Sequence, residues 1–174
     1  MRSNHGIPLI LTTVVIDLPD AGQAAVRASV RALPRGDDNF YKLWLANTVL
    51  GSGSNGRLFQ EVRTKRALSY GAYSSLGQSA GASMLTAQAQ TKNETADEVA
   101  AIFFDQFELL GSEMVDDDAL EKRRLFLGGA LARSLETSGG FNGIVASLML
   151  RGIEPGAVVL HFDFELVVVL TSAA

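Results

Sequence analysis

The sequence predicts an α+β fold, a mostly antiparallel sheet with helices packed on one of its faces. Three observations lead there. Residues up to Leu33 run in β-branched or alternating blocks, the hydrophobic period then changes to three and four, and alternation returns between Ser69 and Thr91 before three helical stretches. Apolar residues make up 47% and charged residues 20% of the 174 positions, enough for one packed core. No internal repeat or low-complexity linker divides the chain, so residues 1–174 are expected to form a single domain.

Pro8 to Leu18 is rich in Ile, Val and Thr and predicts a first strand, closed by a turn at Pro19–Gly22. From Gln23 to Leu33, Ala24, Val26, Ala28, Val30 and Ala32 share one face while Gln23, Arg27, Ser29 and Arg31 share the other. That period of two predicts a half-buried second strand, antiparallel to the first. Asp38 to Leu50 repeats apolar residues at helical steps through Phe40, Leu43, Trp44 and Leu50, with Asp37 or Asp38 as its cap. Gly51–Gly56 ends this helix, and helical spacing resumes through Leu58, Phe59 and Val62 to Arg66. Two strands follow, Ser69 to Leu76 and Ala82 to Thr91.

Thr95-Ala-Asp-Glu98 is a capping box, opening a helix to Met114 whose core stripe is Phe103, Phe104, Phe107, Leu110 and Met114. Asp118-Ala-Leu-Glu121 caps the next helix, which runs towards Leu135. Gly128 and Gly129 inside it each cost about 1 kcal/mol against Ala, so a closely packed neighbour is expected there. Phe141 to Leu150 is the last helix, and Ala157 to Leu170 reads as strand interrupted by His161, Asp163 and Glu165.

Composition excludes several chemistries. There is no cysteine, so disulfides, thiolate catalysis and Cys-based metal sites are ruled out. The net charge is −4 and no long Lys/Arg run exists, which argues against nucleic acid as a partner. No apolar stretch reaches the about 18 residues of a membrane span. Cytoplasm and periplasm are equally compatible with these features. The two histidines, His5 and His161, lie far apart and neither sits in HxxEH or HExxH, so no zinc site is expected within this chain.

Four constellations bear on function. Gly51-Ser-Gly-Ser-Asn-Gly56 fits G-x-G-x-x-G by letter, but a helix precedes it and no acidic residue stands near Leu76, so it reads as a helix-to-helix connection. Asp116-Asp-Asp118 reads as a complement to a helix dipole. Ser74, Ser75, Ser79 and Ser83 sit in no nucleophile elbow. Arg63 and Tyr70 are different: a guanidinium near a helix C-terminus and a phenol opening a strand can converge on one carbonyl oxygen. Taken alone, an Arg complementing a helix dipole and a Tyr starting a strand are equally ordinary.

Three segments carry a resemblance: Ala46-Asn-Thr-Val-Leu-Gly51, Ser54-Asn-Gly-Arg-Leu-Phe-Gln-Glu-Val-Arg63 and Leu68-Ser-Tyr-Gly-Ala-Tyr-Ser74. In this order and spacing, over Leu18 to Gly152, the chain resembles the second, non-zinc half of a pitrilysin-type zinc metallopeptidase. The resemblance implies two homologous α+β halves closing on a peptide, with zinc and HxxEH in the other half. It also implies that Arg63 and Tyr70 hold the substrate carbonyl and help the tetrahedral intermediate. On this basis the chain is expected to be the substrate-binding, non-catalytic half of a zinc-dependent endopeptidase. It is expected to be inactive alone, because HxxEH is absent from its sequence.

No cofactor is expected in this chain; the zinc belongs to the partner half. The implied partners are a zinc-bearing HxxEH domain or subunit and a peptide substrate, with self-association through an open sheet edge as a further expectation. The alternative is a structural or assembly subunit resembling the core proteins of respiratory complexes, which has no need of both Arg63 and Tyr70. After Gly152 the sequence departs from the family ending, so a truncated domain or a rebuilt edge is expected there.

Overall fold

The computed structural model describes residues 13–156. The expectations for His5, His161 and the strand from Ala157 to Leu170 lie outside the described residues. Within them, strand β1 (Ala24–Ala32) leads to helix α1 (Phe40–Gly51), then α2 (Arg57–Phe59), which continues as a π-helical turn over Gln60–Thr64. Strands β2 (Ser69–Leu76) and β3 (Ser83–Thr91) follow, then a 3-10 turn (Asn93–Thr95) and helices α3 (Ala96–Ser112), α4 (Asp117–Leu135) and α5 (Ser138–Met149). The sheet is antiparallel with β3 between β1 and β2. The fold is α+β, as the alternation and the helical periods predict.

One face of the sheet builds the core. Ala28, Ala72, Leu85, Ala87 and Ala89 point inward from the strands and meet Leu50, Leu58 and Val62 from α1, α2 and the π turn, and Val99, Ile102 and Phe103 from α3. Small residues on the strands and large ones on the helices let the layers approach closely, and each large buried side chain contributes about 1.5–3 kcal/mol. Helix α4 lies outside α1, with α5 against α4, and α4 has no fully buried residue. Leu125, Phe126, Phe141 and Met149 are exposed on this outer layer.

Several local expectations need correction. Residues 13–18 form neither strand nor helix, so the described part of the predicted Pro8–Leu18 strand is absent. β-branched residues favour a strand only where cross-strand neighbours pack against them, and residues 13–18 pair with no strand among the described residues. The Thr95 capping box does not form: its Oγ1 pairs with Thr91 Oγ1 at 2.6 Å and donates to Lys92 O at 3.2 Å. Helix α3 ends at Ser112, leaving Met114 beyond it, and Phe104 points outward while Phe103 is buried. Asp116, not Asp118, caps α4, accepting from Ala119 N at 3.2 Å. At Gly129 a methyl would meet only Arg133 of the same helix, at 3.4 Å, so no neighbour packs closely there. Ahead of α1, Asp37 Oδ1 accepts from Asn39 N at 2.8 Å, close to the predicted cap.

The end of α1 fixes the position of β2. A methyl on Gly51 would stand 2.3 Å from Ser74 N, and one on Gly56 would stand 2.9 Å from Gly51 Cα. Ser74 Oγ also donates to Asn47 Oδ1 at 2.7 Å, tying strand to helix. The glycines of this connection therefore serve close packing, except Gly53, whose φ of 69° asks for conformational freedom instead.

Glu61 anchors the π turn. It accepts from Lys65 Nζ and Arg66 Nη1, each at 2.5 Å, and these bonds hold its carboxyl pKa below the ordinary 4.5.

Two predictions follow from these contacts. Gly51→Ala should cost at least about 2 kcal/mol, because backbone rather than a movable side chain blocks the new methyl. Gly53→Ala, facing open space, should cost about 1 kcal/mol; thermal unfolding of both variants checks the order. A carboxyl whose folded pKa is depressed stabilises above its unfolded value and loses that contribution as pH falls through the folded one. Stability should thus decline below about pH 4.5, and Glu61→Gln should flatten part of that decline in Tm measured from pH 7 to pH 3.

Candidate functional site

Arg63 sits in the π turn, where Lys65 N donates to Gln60 O at 2.9 Å across the widened ring. Its neighbour Val62 is fully buried in the core, which directs Arg63 to the surface. A single widened turn inside a helix is an irregularity found disproportionately at functional sites. Lys65 and Arg66 are taken up by Glu61, whereas Arg63 makes no ion pair among the described residues. The chain then reverses at Ala67, with φ of 52°, and Leu68 N donates back to Val62 O at 2.9 Å.

Tyr70 owes its direction to a β-bulge. Ser69 is opposite Thr91 and Ala72 is opposite Ala89, so β2 spends one more residue than β3 over this interval. In a regular strand Tyr70 and Tyr73, three residues apart, would point to opposite faces, because strand side chains alternate. The bulge resets the phase, and both tyrosines are exposed on the side away from the helices while Ala72 is fully buried. Ser69 satisfies the backbone that the bulge leaves unpaired: its buried hydroxyl contacts Gln90 O at 2.5 Å and Gly71 O at 2.8 Å, and accepts from Gly71 N at 3.2 Å.

The two predicted site residues meet. The Arg63 guanidinium lies over the Tyr70 ring, its Cζ 4.9 Å from the ring centre, and Tyr70 remains 85% exposed. Stacking of this kind is worth about 0.5–1 kcal/mol at an exposed site and fixes the plane of the guanidinium. Neither the phenol nor the guanidinium makes a hydrogen bond within the described residues, so their donors are free for a ligand. Tyr73 lies alongside, its ring 6.3 Å from that of Phe59 and its hydroxyl 2.4 Å from where a methyl on Gly71 would stand.

Tyr70 and Tyr73 border a groove of about 620 Å³ on the outward sheet face, whose floor includes Arg27, Gln88 and Gln90. Sequence reasoning singled out neither Tyr73 nor Ser69 as a site residue. The signal was present: two tyrosines three apart in an otherwise alternating strand, with a glycine between them, announce a bulge.

The remaining constellations are structural. Asp116 caps α4 and Asp118 pairs with Lys122, and no cluster of His, Cys, Asp and Glu suited to a metal exists among the described residues. The Arg63–Tyr70 site offers hydrogen-bond donors without a carboxylate or imidazole, so it does not fit zinc. The Gly51–Gly56 loop is clamped. Arg123 of α4 donates to Ser52 O at 3.2 Å and Asn55 O at 2.6 Å, and Gln60 Nε2 donates to Ser54 O at 2.7 Å. Burial pulls the Arg123 pKa below its ordinary value. A smaller cavity of about 230 Å³ between α1, α4 and α5 is bordered by Arg35, whose buried guanidinium lies over the Phe40 and Tyr41 rings. Among the described residues no helix is long and apolar enough to cross a membrane.

Comparison with known proteins places this architecture. Residues 7–127 match the family model described as the peptidase M16 inactive domain. An uncharacterized zinc protease of Streptomyces coelicolor is 31% identical over 117 residues, covering 67% of this chain and 26% of that protein. The chain thus spans about a quarter of the length of the curated relatives it matches. Among solved structures, a peptidase M16 inactive domain from Pseudomonas fluorescens superposes with a TM-score of 0.75 at 21% identity, over 82% of this chain and 34% of that one. A protease from Helicobacter pylori gives a TM-score of 0.73 at 19% identity, over 79% of this chain and 33% of the other. With the family model covering most of its length, the chain belongs to the M16, or pitrilysin-type, zinc protease family as its inactive domain.

Proposed function

We propose that this chain is the substrate-positioning half of a zinc endopeptidase, working as one domain beside a zinc-bearing half on a partner domain or subunit. The observation that carries the reading is the exposed Arg63–Tyr70 stack, its donors unspent, with Tyr70 lining the sheet-face groove. The chain's own contribution is binding and orientation. Arg63 donates to a peptide carbonyl from one side and the Tyr70 hydroxyl donates to the same or the adjacent carbonyl from the other. Because negative charge grows on that oxygen as the carbonyl becomes tetrahedral, donors already fixed in place favour the transition state over the ground state. The bulge and the π turn hold both groups without requiring them to reorganise. The partner half supplies the metal and the attacking water.

The test is reconstitution with an HxxEH-bearing half from the same source, followed by chelator-sensitive cleavage of a fluorogenic peptide. Arg63→Ala and Tyr70→Phe should each lower kcat by about 10²–10³, the scale of losing one oxyanion donor. Tyr70→Phe keeps the ring under the guanidinium, so its loss reports the hydroxyl alone. Cleavage indifferent to both substitutions would refute these roles. A stable complex of the halves that cleaves nothing would favour the assembly-subunit reading instead.

A further inference from the structure

The outward sheet face has a charge balance that the whole chain lacks. The protein carries 19 acidic against 15 basic residues. Yet the side of β1, β3 and β2 that faces away from the helices presents Arg27 and Arg31, with Arg63 stacked on Tyr70 at the rim, and no Asp or Glu. The remaining outward positions are uncharged: Ser29, Thr86, Gln88, Gln90 and Tyr73 among them are polar, and Met84, opposite Arg31, is apolar.

Arg27 lies midway along β1, at the edge of this face among the described strands. It stands opposite Gln88, which in turn stands opposite Tyr73, so the three form one row across the sheet. Its Nη2 donates to Gln88 Oε1 at 3.1 Å. A neutral acceptor orients the guanidinium without cancelling its charge, and no ion pair involves Arg27 among the described residues. Arg27, Gln88 and Gln90 line the same groove as Tyr70. The geometry presents an oriented planar cation, without an ion-pair partner among the described residues, in a groove with the Gln88 and Gln90 amides on the neighbouring strand. That is the recognition chemistry of a carboxylate on an extended peptide.

Resting on the reading above, we propose that this face selects acidic peptides, with Arg27 binding a substrate Asp or Glu side chain. The spacing follows from strand geometry. Arg27 is two strands across from β2 and two residues along from Ala25, whose partner Gln90 borders the bulge. That separation is about 12 Å, from an inter-strand spacing of ~4.8 Å and a rise of ~3.4 Å per residue. An extended peptide covers it in about three or four residues. The favoured acidic residue is therefore that far from the carbonyl held by Arg63 and Tyr70, and the glutamines offer amides to the peptide backbone between them.

Fluorescence anisotropy of the purified chain with three dye-labelled decapeptides tests this. The peptides differ only in carrying Glu, Gln or Lys at two positions, three and four residues from the central bond. The Glu peptide should bind about tenfold more tightly than the Gln peptide, the scale of one hydrogen bond to a charged group. Its advantage should shrink with added salt and vanish in Arg27→Gln, while Arg27→Lys should keep part of it. Arg63→Ala should weaken all three peptides alike, which separates the general site from the selective one. Equal binding of the Glu and Gln peptides overturns the proposal even if Arg63→Ala weakens both, and leaves the donor-pair reading standing. A preference that survives Arg27→Gln in a protein of unchanged circular dichroism and Tm overturns the assignment to this residue. Displacement of the Glu peptide by oligo-dT at equal charge concentration would overturn peptide selectivity in favour of a general polyanion surface.

Discussion

The direction in which Tyr70 points depends on one surplus residue in β2. A regular pleat carrying Ala72 into the core would turn Tyr70 under the sheet, among Leu85, Val99 and their neighbours, where a phenol hydroxyl needs a partner the apolar layer does not have. The surplus residue removes that conflict at the cost of leaving backbone groups without ladder partners. Ser69 takes them up with one buried hydroxyl. A second irregularity lies just upstream, where the π turn sets the phase of Arg63 while Val62 stays in the core. Two local departures from regular geometry, separated by the reversal at Ala67, thus bring a helix residue and a strand residue into contact.

The rest of the fold keeps those two departures in place. The helices cover one face of the sheet and leave the other mostly to polar side chains, so burial and exposure are assigned to opposite sides of the same strands. Contact between α1 and β2 is closer than side chains allow, through Gly51, and the Asn47–Ser74 hydrogen bond fixes the sliding direction. Glu61 draws Lys65 and Arg66 to itself and so leaves Arg63 as the basic side chain of the turn that can face the groove. Electrostatics near the site is thereby sorted by side.

Much of this was legible in the sequence. The alternation from Ala24 to Ala32 maps directly onto the buried and exposed sides of β1, and β2 and β3 lie where alternation returns between Ser69 and Thr91. Illegible features were those settled by tertiary contacts. Residues 13–18 have strand composition without a strand partner, and Thr95 has a capping motif whose hydroxyl is diverted to Thr91. Arg63 and Tyr70 were identifiable through the family resemblance, since an Arg at a helix end and a Tyr at a strand start are unremarkable in themselves. Their contact could not be read from spacing, because neither the widened turn nor the bulge has a period. Arg27 looked like any solvent-facing residue of an amphipathic strand until the absence of acidic neighbours on two other strands was set beside it.

Arg123 ties the outer layer of the molecule to its inner one. Its guanidinium bridges the carbonyls of Ser52 and Asn55, so the outer helix α4 is fastened to the joint between α1 and α2 rather than merely resting on it. That joint is followed immediately by α2 and the π turn carrying Arg63. The outer helix is thus joined to the turn that carries Arg63 through hydrogen bonds to backbone carbonyls as well as through packing. With Gly51 packed on Ser74, that joint is held from two sides at once, by α4 and by β2.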